Sequence, residues 1–242
     1  LPPDDGAGGT IRYGGNALGL GPDGATMYYS CLYNVHLAVV TIAEPGQRGR
    51  FLAPCKEVPN LKALDPSDPN AKVLGGVLWW NNRLITSAYA TYDAGHNVSK
   101  SHFVGTTVAD ITGPFQVGND RPGMVAGYMG VIPEEWRTLL GGPALTGQCC
   151  ISIISRSSYG PSVSVFDPDE VGTKKKAASK MLIGYPDEHQ TLGPYDFGND
   201  LFSSVTMVGG VAFPQGTRSV LFIGRHGTGY CYGEGTTDPK KH

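Results

Sequence analysis

The stretch "GGVLWWNNRLITSAYATYD", residues 75–93, opens on a glycine pair and runs through a short apolar segment. It turns at Asn81-Asn82 and returns as a run rich in β-branched and aromatic residues, the composition of a strand pair. The same layout occurs three more times: "GGNALGLGPDGATMYYS" starts at Gly14, "GGPALTGQCCISIIS" at Gly141 and "GGVAFPQGTRSVLFIG" at Gly209. The starts lie 61, 66 and 68 residues apart, and the β-type runs end at Ser30, Ser87, Ser155 and Gly224. A glycine pair alone carries little weight in a chain with 35 glycines; its coupling to one strand pattern carries more. A period of about 65 residues with four strand-like segments per unit predicts an all-β chain, a β-propeller of four-stranded blades.

The units are read as follows. Residues 1–13 form a flexible lead-in, and 14–242 form one propeller domain with repeats starting near 14, 75, 141 and 209. In the first unit "HLAVVTIA" and "RFLAPCKEV" are strands joined by "EPGQRG". In the second, "SKSHFVGTTVADITGPFQV" supplies a third strand and "GMVAGYMGVIP" a fourth. "PEEWRTLLGG" follows as one or two helical turns, with Pro133 at its start and acidic residues in its first turn. In the third, "SVSVFDPDEV" and "KMLIGYP" flank a solvated loop with Lys174 to Lys176 at its tip. The fourth stops early, giving about three and a half blades, so an open edge would invite association of a homo- or hetero-oligomer. Trp79 and Trp80, adjacent on a strand, are expected to point one into each neighbouring interface.

Composition narrows the function classes. Net charge is −2 with 17% charged residues, and no basic stripe suggests nucleic acid. No apolar run approaches the ~18 residues of a membrane span. The chain starts at Leu1, which reads as a processed terminus or a fragment boundary. Five cysteines leave two readings: a disulfide between Cys31 and Cys55 if their segments are neighbours, or buried unpaired thiols. No CxxC or histidine-rich cluster accompanies them, so no metal is expected, and no cofactor.

In a propeller the turns between second and third strands and the crossovers between blades share one face. Those positions hold Tyr33, Asn34 and His36 in the first unit, and Tyr92, Asp93, His96 and Asn97 in the second. The third holds Arg156, Ser157, Ser158 and Tyr159, its crossover Asp187, Glu188 and His189, and the fourth Arg225, His226 and Tyr230. Tyrosine suits sugar-ring stacking, arginine suits carboxylates through its planar fork, and Asp or Glu suits acid–base work. The site candidates are therefore Asp93, His96, Arg156, Tyr159, Asp187, His189, Arg225 and His226, for a glycan or an anionic small ligand. Arg225 and His226 stand out, because three flanking glycines leave backbone exposed beside two donors. Asp93 and Asn97 have a plainer reading as turn-formers. The chain has no phosphate-loop lysine, no GxSxG elbow, no HExxH and no calcium loop.

The strings "YMGVIPEEWRTLLGGPALTGQCCISIISRSSYGPSVSVFDP", residues 128–168, and "GTRSVLFIGRHGTGYCYG", residues 216–233, resemble uncharacterised bacterial proteins of propeller type. The resemblance spans most of the chain from Gly75 onward and brings no activity with it. In layout the chain is loosely similar to five-bladed glycosidase and sialidase propellers, but the SxDxGxxW box is absent and no catalytic carboxylate matches. The expected function is a non-enzymatic, extracytoplasmic propeller module for ligand binding or assembly, with carbohydrate as the ligand class. The alternatives are a glycosidase-like enzyme using Asp93, Asp187 or Glu188, and a structural subunit of a surface or viral assembly.

Overall fold

A computed structural model of the 242-residue chain describes residues 1–64, 72–91, 93, 97–119, 121–149, 162–184 and 207–225. Strand is the main regular structure of the described residues. The first sheet is an antiparallel meander of β1 (Leu18–Leu20), β2 (Thr26–Cys31), β3 (His36–Thr41) and β4 (Phe51–Glu57). The second contains β5 (Lys72–Trp80), β6 (Arg83–Ala90), β7 (His102–Gly105) and β8 (Thr112–Val117). The third contains β9 (Met129–Val131), β10 (Ala144–Gly147), β11 (Val163–Phe166) and β13 (Ser179–Ile183). A last hairpin pairs β14 (Met207–Ala212) with β15 (Leu221–Arg225). The two-residue strand β12 (Lys176–Ala177) pairs in parallel with β8, so a segment of the third unit extends the second sheet.

Local chemistry explains the hairpins. Asn81 and Asn82 both adopt left-handed backbone, φ 46° and 57°, which closes β5 onto β6 with a twist that matches the strands. The segment expected as one third strand is two, β7 and β8. Asp110 breaks it: its carboxylate accepts from the backbone N–H of Thr106 and of Thr107, at 2.9 and 2.7 Å, and caps a 3-10 turn.

The third unit begins earlier than its Gly141 pair. "GMVAGYMGVIP", expected as the fourth strand of the second unit, contains the buried turn α1 (Pro122–Val125) and β9, an edge strand of the third sheet. Gly141, φ 92°, instead terminates the expected helix α2 (Glu134–Leu140) in left-handed conformation and leads into β10. Residues 1–13 fold back on the first sheet rather than trailing away. The Asp5 carboxylate accepts from the N–H of Cys55 at 2.8 Å, and Leu32 N–H donates to Thr10 O at 2.9 Å. The lysine loop is likewise docked through β12, with Lys174 ion-paired to Glu170.

The sheets pack face to face, so strands of the second sheet bury both faces. Val77 and Leu84 join Leu37, Leu74 and Phe103 in the core shared with the first sheet; their neighbours Leu78 and Ile85 join Ala144 and Phe166 in the core shared with the third. Trp79 and Trp80 divide in the same way. Trp79 stacks on Tyr28, and Trp80 lies under the Arg137 guanidinium. A third core combines Leu145, Val163, Val165 and Val208, with Val211 packed against it.

The first strands of the four sheets touch in series, β1 with β5, β5 with β9 and β9 with β14. Glycine permits this. A Cβ on Gly19 would meet Val77 O at 2.5 Å, one on Gly75 would collide with Ala126 O, and one on Gly130 would meet Val211 Cγ1 at 2.6 Å. Asn16 lies against Leu74 and Gly19 against Val77, while Gly75 and Gly76 lie against Ala126 and Gly127. The contacts advance together along the chain, so β1, β5 and the segment entering β9 run in the same direction. Their starting ends therefore share one side.

Candidate functional site

The shared starting side is stitched by amides. Asn16 donates from Nδ2 to Leu74 O at 2.6 Å and to the Tyr89 hydroxyl at 3.3 Å. Its backbone N–H donates to Asn34 Oδ1 at 3.0 Å, which also accepts from Ser30 Oγ at 2.8 Å. Asn34 Nδ2 donates to Tyr13 O at 2.7 Å. The Asn16 amide, held in place by that of Asn34, thus joins the first and second sheets where β1 and β5 begin. Beside them the buried Tyr89 ring packs with Val73, Ala126 and Cys149, and burial pushes its phenol pKa up despite the Asn16 hydrogen bond.

Above this network stand two exposed tyrosines. Tyr13 and Tyr33 are 60% and 59% exposed, and their rings stack with centroids 5.2 Å apart and planes inclined by 17°. Tyr13, Leu32, Tyr33 and Asn34 all have left-handed backbone, φ 54°, 40°, 57° and 57°. Asparagine tolerates that region, whereas each bulky residue there costs roughly 1–2 kcal/mol. Rings this exposed recover little of the cost through burial. The Arg12 guanidinium lies 5.2 Å from the Tyr13 ring centroid, within cation–π range, and is exposed.

A second polar region lies between the second and third sheets. His102 is fully buried. Thr146 Oγ1 donates its one proton to Val125 O, so toward His102 Nε2, 3.4 Å away, it accepts. The ring is therefore assigned the Nε2–H tautomer, with Nδ1 accepting from Ser101 Oγ at 2.9 Å. Burial pushes the imidazole pKa down to about 3, so the ring is neutral at physiological pH and acts as a cross-link between sheets. Ser162 Oγ and Ser87 Oγ hold the crossover around α1 by donating to Met124 O and Gly127 O, at 2.7 and 2.8 Å. Among the described residues Gln148, 1% exposed, has no hydrogen-bond partner for either side-chain amide atom, and buried Ser164 Oγ also has none.

Of the expected site residues, the structure places Asp93 on the β6–β7 connection. Its carboxylate accepts from the backbone N–H of Asn97 at 2.7 Å and of Val98 at 3.0 Å, which is the turn-forming role. Arg225 ends β15 opposite Met207. His96, Arg156, Tyr159, Asp187, His189 and His226 lie outside the described residues. The carboxylates held below their ordinary range, Asp5, Asp23, Asp110 and Glu170, are each already engaged by hydrogen bonds within the protein. Among the described residues no three His, Cys, Asp or Glu side chains gather as a metal set, and no helix is long and apolar enough to cross a membrane.

The sequence pattern puts Tyr33 and Asn34 on the candidate face and Arg12 and Tyr13 in the lead-in. The signal was "RYGGN", an aromatic and a cation beside a glycine pair and an amide. His102 and Gln148 carried no such signal, since a lone polar residue in a strand gives no indication of burial. Cys31 and Cys55 are disulfide-bonded with Cα atoms 6.2 Å apart, and Cys149 is disulfide-bonded as well. No protein-family model, curated protein or solved structure matches this chain.

Proposed function

We propose that the sheets are blades of a propeller-type module that acts outside the cytoplasm as a non-enzymatic glycan-binding protein. The serial packing of β1, β5, β9 and β14 through glycines supports the blade reading, because strands that converge on an axis need small residues. Disulfides at Cys31–Cys55 and at Cys149 suit an oxidising compartment. The observation that carries the binding role is the exposed, backbone-strained Tyr13–Tyr33 pair over the Asn16–Asn34 network. Sugar rings stack their C–H faces on such rings while amides and hydroxyls meet their polar edges. The glycosidase alternative is weakened at Asp93, whose carboxylate is committed to two backbone donors.

A glycan array read with wild type and Tyr33→Asn tests the reading. Asparagine suits the left-handed backbone while removing the ring, so binding should fall at least tenfold while thermal stability is kept or raised. A wild type that binds nothing across the array overturns the proposal.

One observation favours assembly as a second role. β15 exposes Leu221, Phe222 and Ile223 at 50%, 42% and 60%, and among the described residues it pairs only with β14. A second copy of the chain pairing along this edge would cover the run. Sedimentation should then show a concentration-dependent dimer that Phe222→Lys disperses; a monomer at all concentrations removes this role.

A further inference from the structure

We propose that Arg12, Tyr13 and Tyr33 form an anion-binding subsite that selects acidic over neutral polysaccharides, an inference that rests on the glycan-binding reading above. Several observations combine. The Arg12 guanidinium is exposed and has no ion-pair partner among the described residues, although Asp5 shares its loop. That carboxylate is occupied by the backbone N–H groups of Ala7, Gly9 and Cys55. Asp4, the other carboxylate of the loop, accepts from Gly6 N–H and, among the described residues, makes no ion pair with Arg12, so the cation is not neutralised within its own loop.

Contact with the Tyr13 ring limits the rotamers of Arg12, so less freedom is lost when its planar fork meets an anionic oxygen pair. The ring contact leaves the in-plane N–H groups available. Tyr13 and Tyr33 add phenol hydroxyls and an apolar ring face beside the charge, which a bare anion does not need but a sugar carrying a carboxylate or sulfate uses. The strained backbone supports the same assignment. Stability alone favours Gly or Asn at positions 13 and 33, because the rings remain largely in water. With a net charge of −2 the protein as a whole does not attract polyanions, so recognition of one must come from a local site.

The test titrates the full chain with polygalacturonate, dextran sulfate and uncharged dextran by calorimetry, using wild type, Arg12→Gln, Arg12→Lys and Tyr33→Asn. Wild type should bind at least one acidic polymer tenfold or more tightly than dextran, with affinity that falls as salt is raised. The polymer preferred identifies carboxylate or sulfate as the group recognised. Arg12→Gln should lose the acidic preference, its affinity for the acidic polymers falling to that for dextran, Arg12→Lys should restore it only in part, and Tyr33→Asn should weaken all sugars. Equal affinity of Arg12→Gln and wild type for the acidic polymers overturns the subsite. Dextran binding that depends on Tyr33 but not on Arg12 would then leave the glycan-binding reading standing. Absence of binding to any polymer, together with a blank glycan array, overturns both.

Discussion

The buried His102 should make the stability of the chain fall with acidification above the range where its carboxylates titrate. In the folded chain burial lowers this imidazole from 6.5 to about 3. Above pH 6.5 the ring is neutral in both folded and unfolded states and adds no pH dependence. Below 6.5 the unfolded chain takes up a proton that the folded ring refuses, so folding weakens by about 1.4 kcal/mol per pH unit until roughly pH 3. Between pH 6.5 and 5 the loss is about 2 kcal/mol, and by pH 3 it approaches about 5 kcal/mol. The lowered carboxylates Asp5, Asp23, Asp110 and Glu170 lose their contribution only below their ordinary values near 4, outside the upper window. Urea unfolding followed by tryptophan fluorescence at several pH values between 7 and 5 measures the effect, expected as a drop of roughly 1 M in midpoint. His102→Gln keeps a donor toward Thr146 and an acceptor toward Ser101, so it should lower stability at pH 7 but flatten the slope. Identical slopes in wild type and variant would refute the burial argument.

Three further outcomes are expected. Cys31→Ser with Cys55→Ser should cost about 3 kcal/mol at equilibrium, because the crosslink closes a 24-residue span, and a chemical denaturation curve reads the loss directly. Gly127→Ala should cost about 3 kcal/mol or more, since the added methyl would collide with the Gln148 carbonyl in the seam between sheets; thermal unfolding and the soluble yield check it. Gln148→Met should raise stability by about 1–2 kcal/mol, a melting rise of about 2–8 °C, by replacing two buried polar atoms, unpartnered among the described residues, with a flexible apolar chain of similar length. An unchanged or lowered melting temperature would show that those atoms are satisfied in solution, by bound water for instance.

Much of the first two units was legible because the information is local. The Asn81-Asn82 turn, the division of Trp79 and Trp80 between two cores, and the helical turn after Pro133 follow from backbone preference and side-chain alternation within a dozen residues. The third unit was misplaced because Gly141-Gly142 has the same letters as the glycines of β5 but a different task. It ends a helix, whereas Gly75 and Gly76 admit a neighbouring backbone. Only contact with another sheet distinguishes the two. The same limit hid the parallel pairing of β12 with β8, which joins residues some 60 apart without a sequence mark.

The candidate face divided along that line. Asp93 and Asn97 had an alternative reading from turn chemistry, and that reading describes the bonds Asp93 makes. Tyr13 was invisible as a partner of Tyr33 because the two meet only when the first residues fold back beside β2 and β3. By itself the sequence determined that the chain is built of strands, where most of them turn, and that polar and aromatic residues collect in their connections, since these depend on propensity and period over short spans. Tertiary structure alone decided which glycines are approached by backbone, that His102 is neutral and Gln148 unpartnered, and that Arg12 stands beside a tyrosine pair. Those properties arise from burial and from contacts between distant segments, and neither is encoded in any one window of the chain.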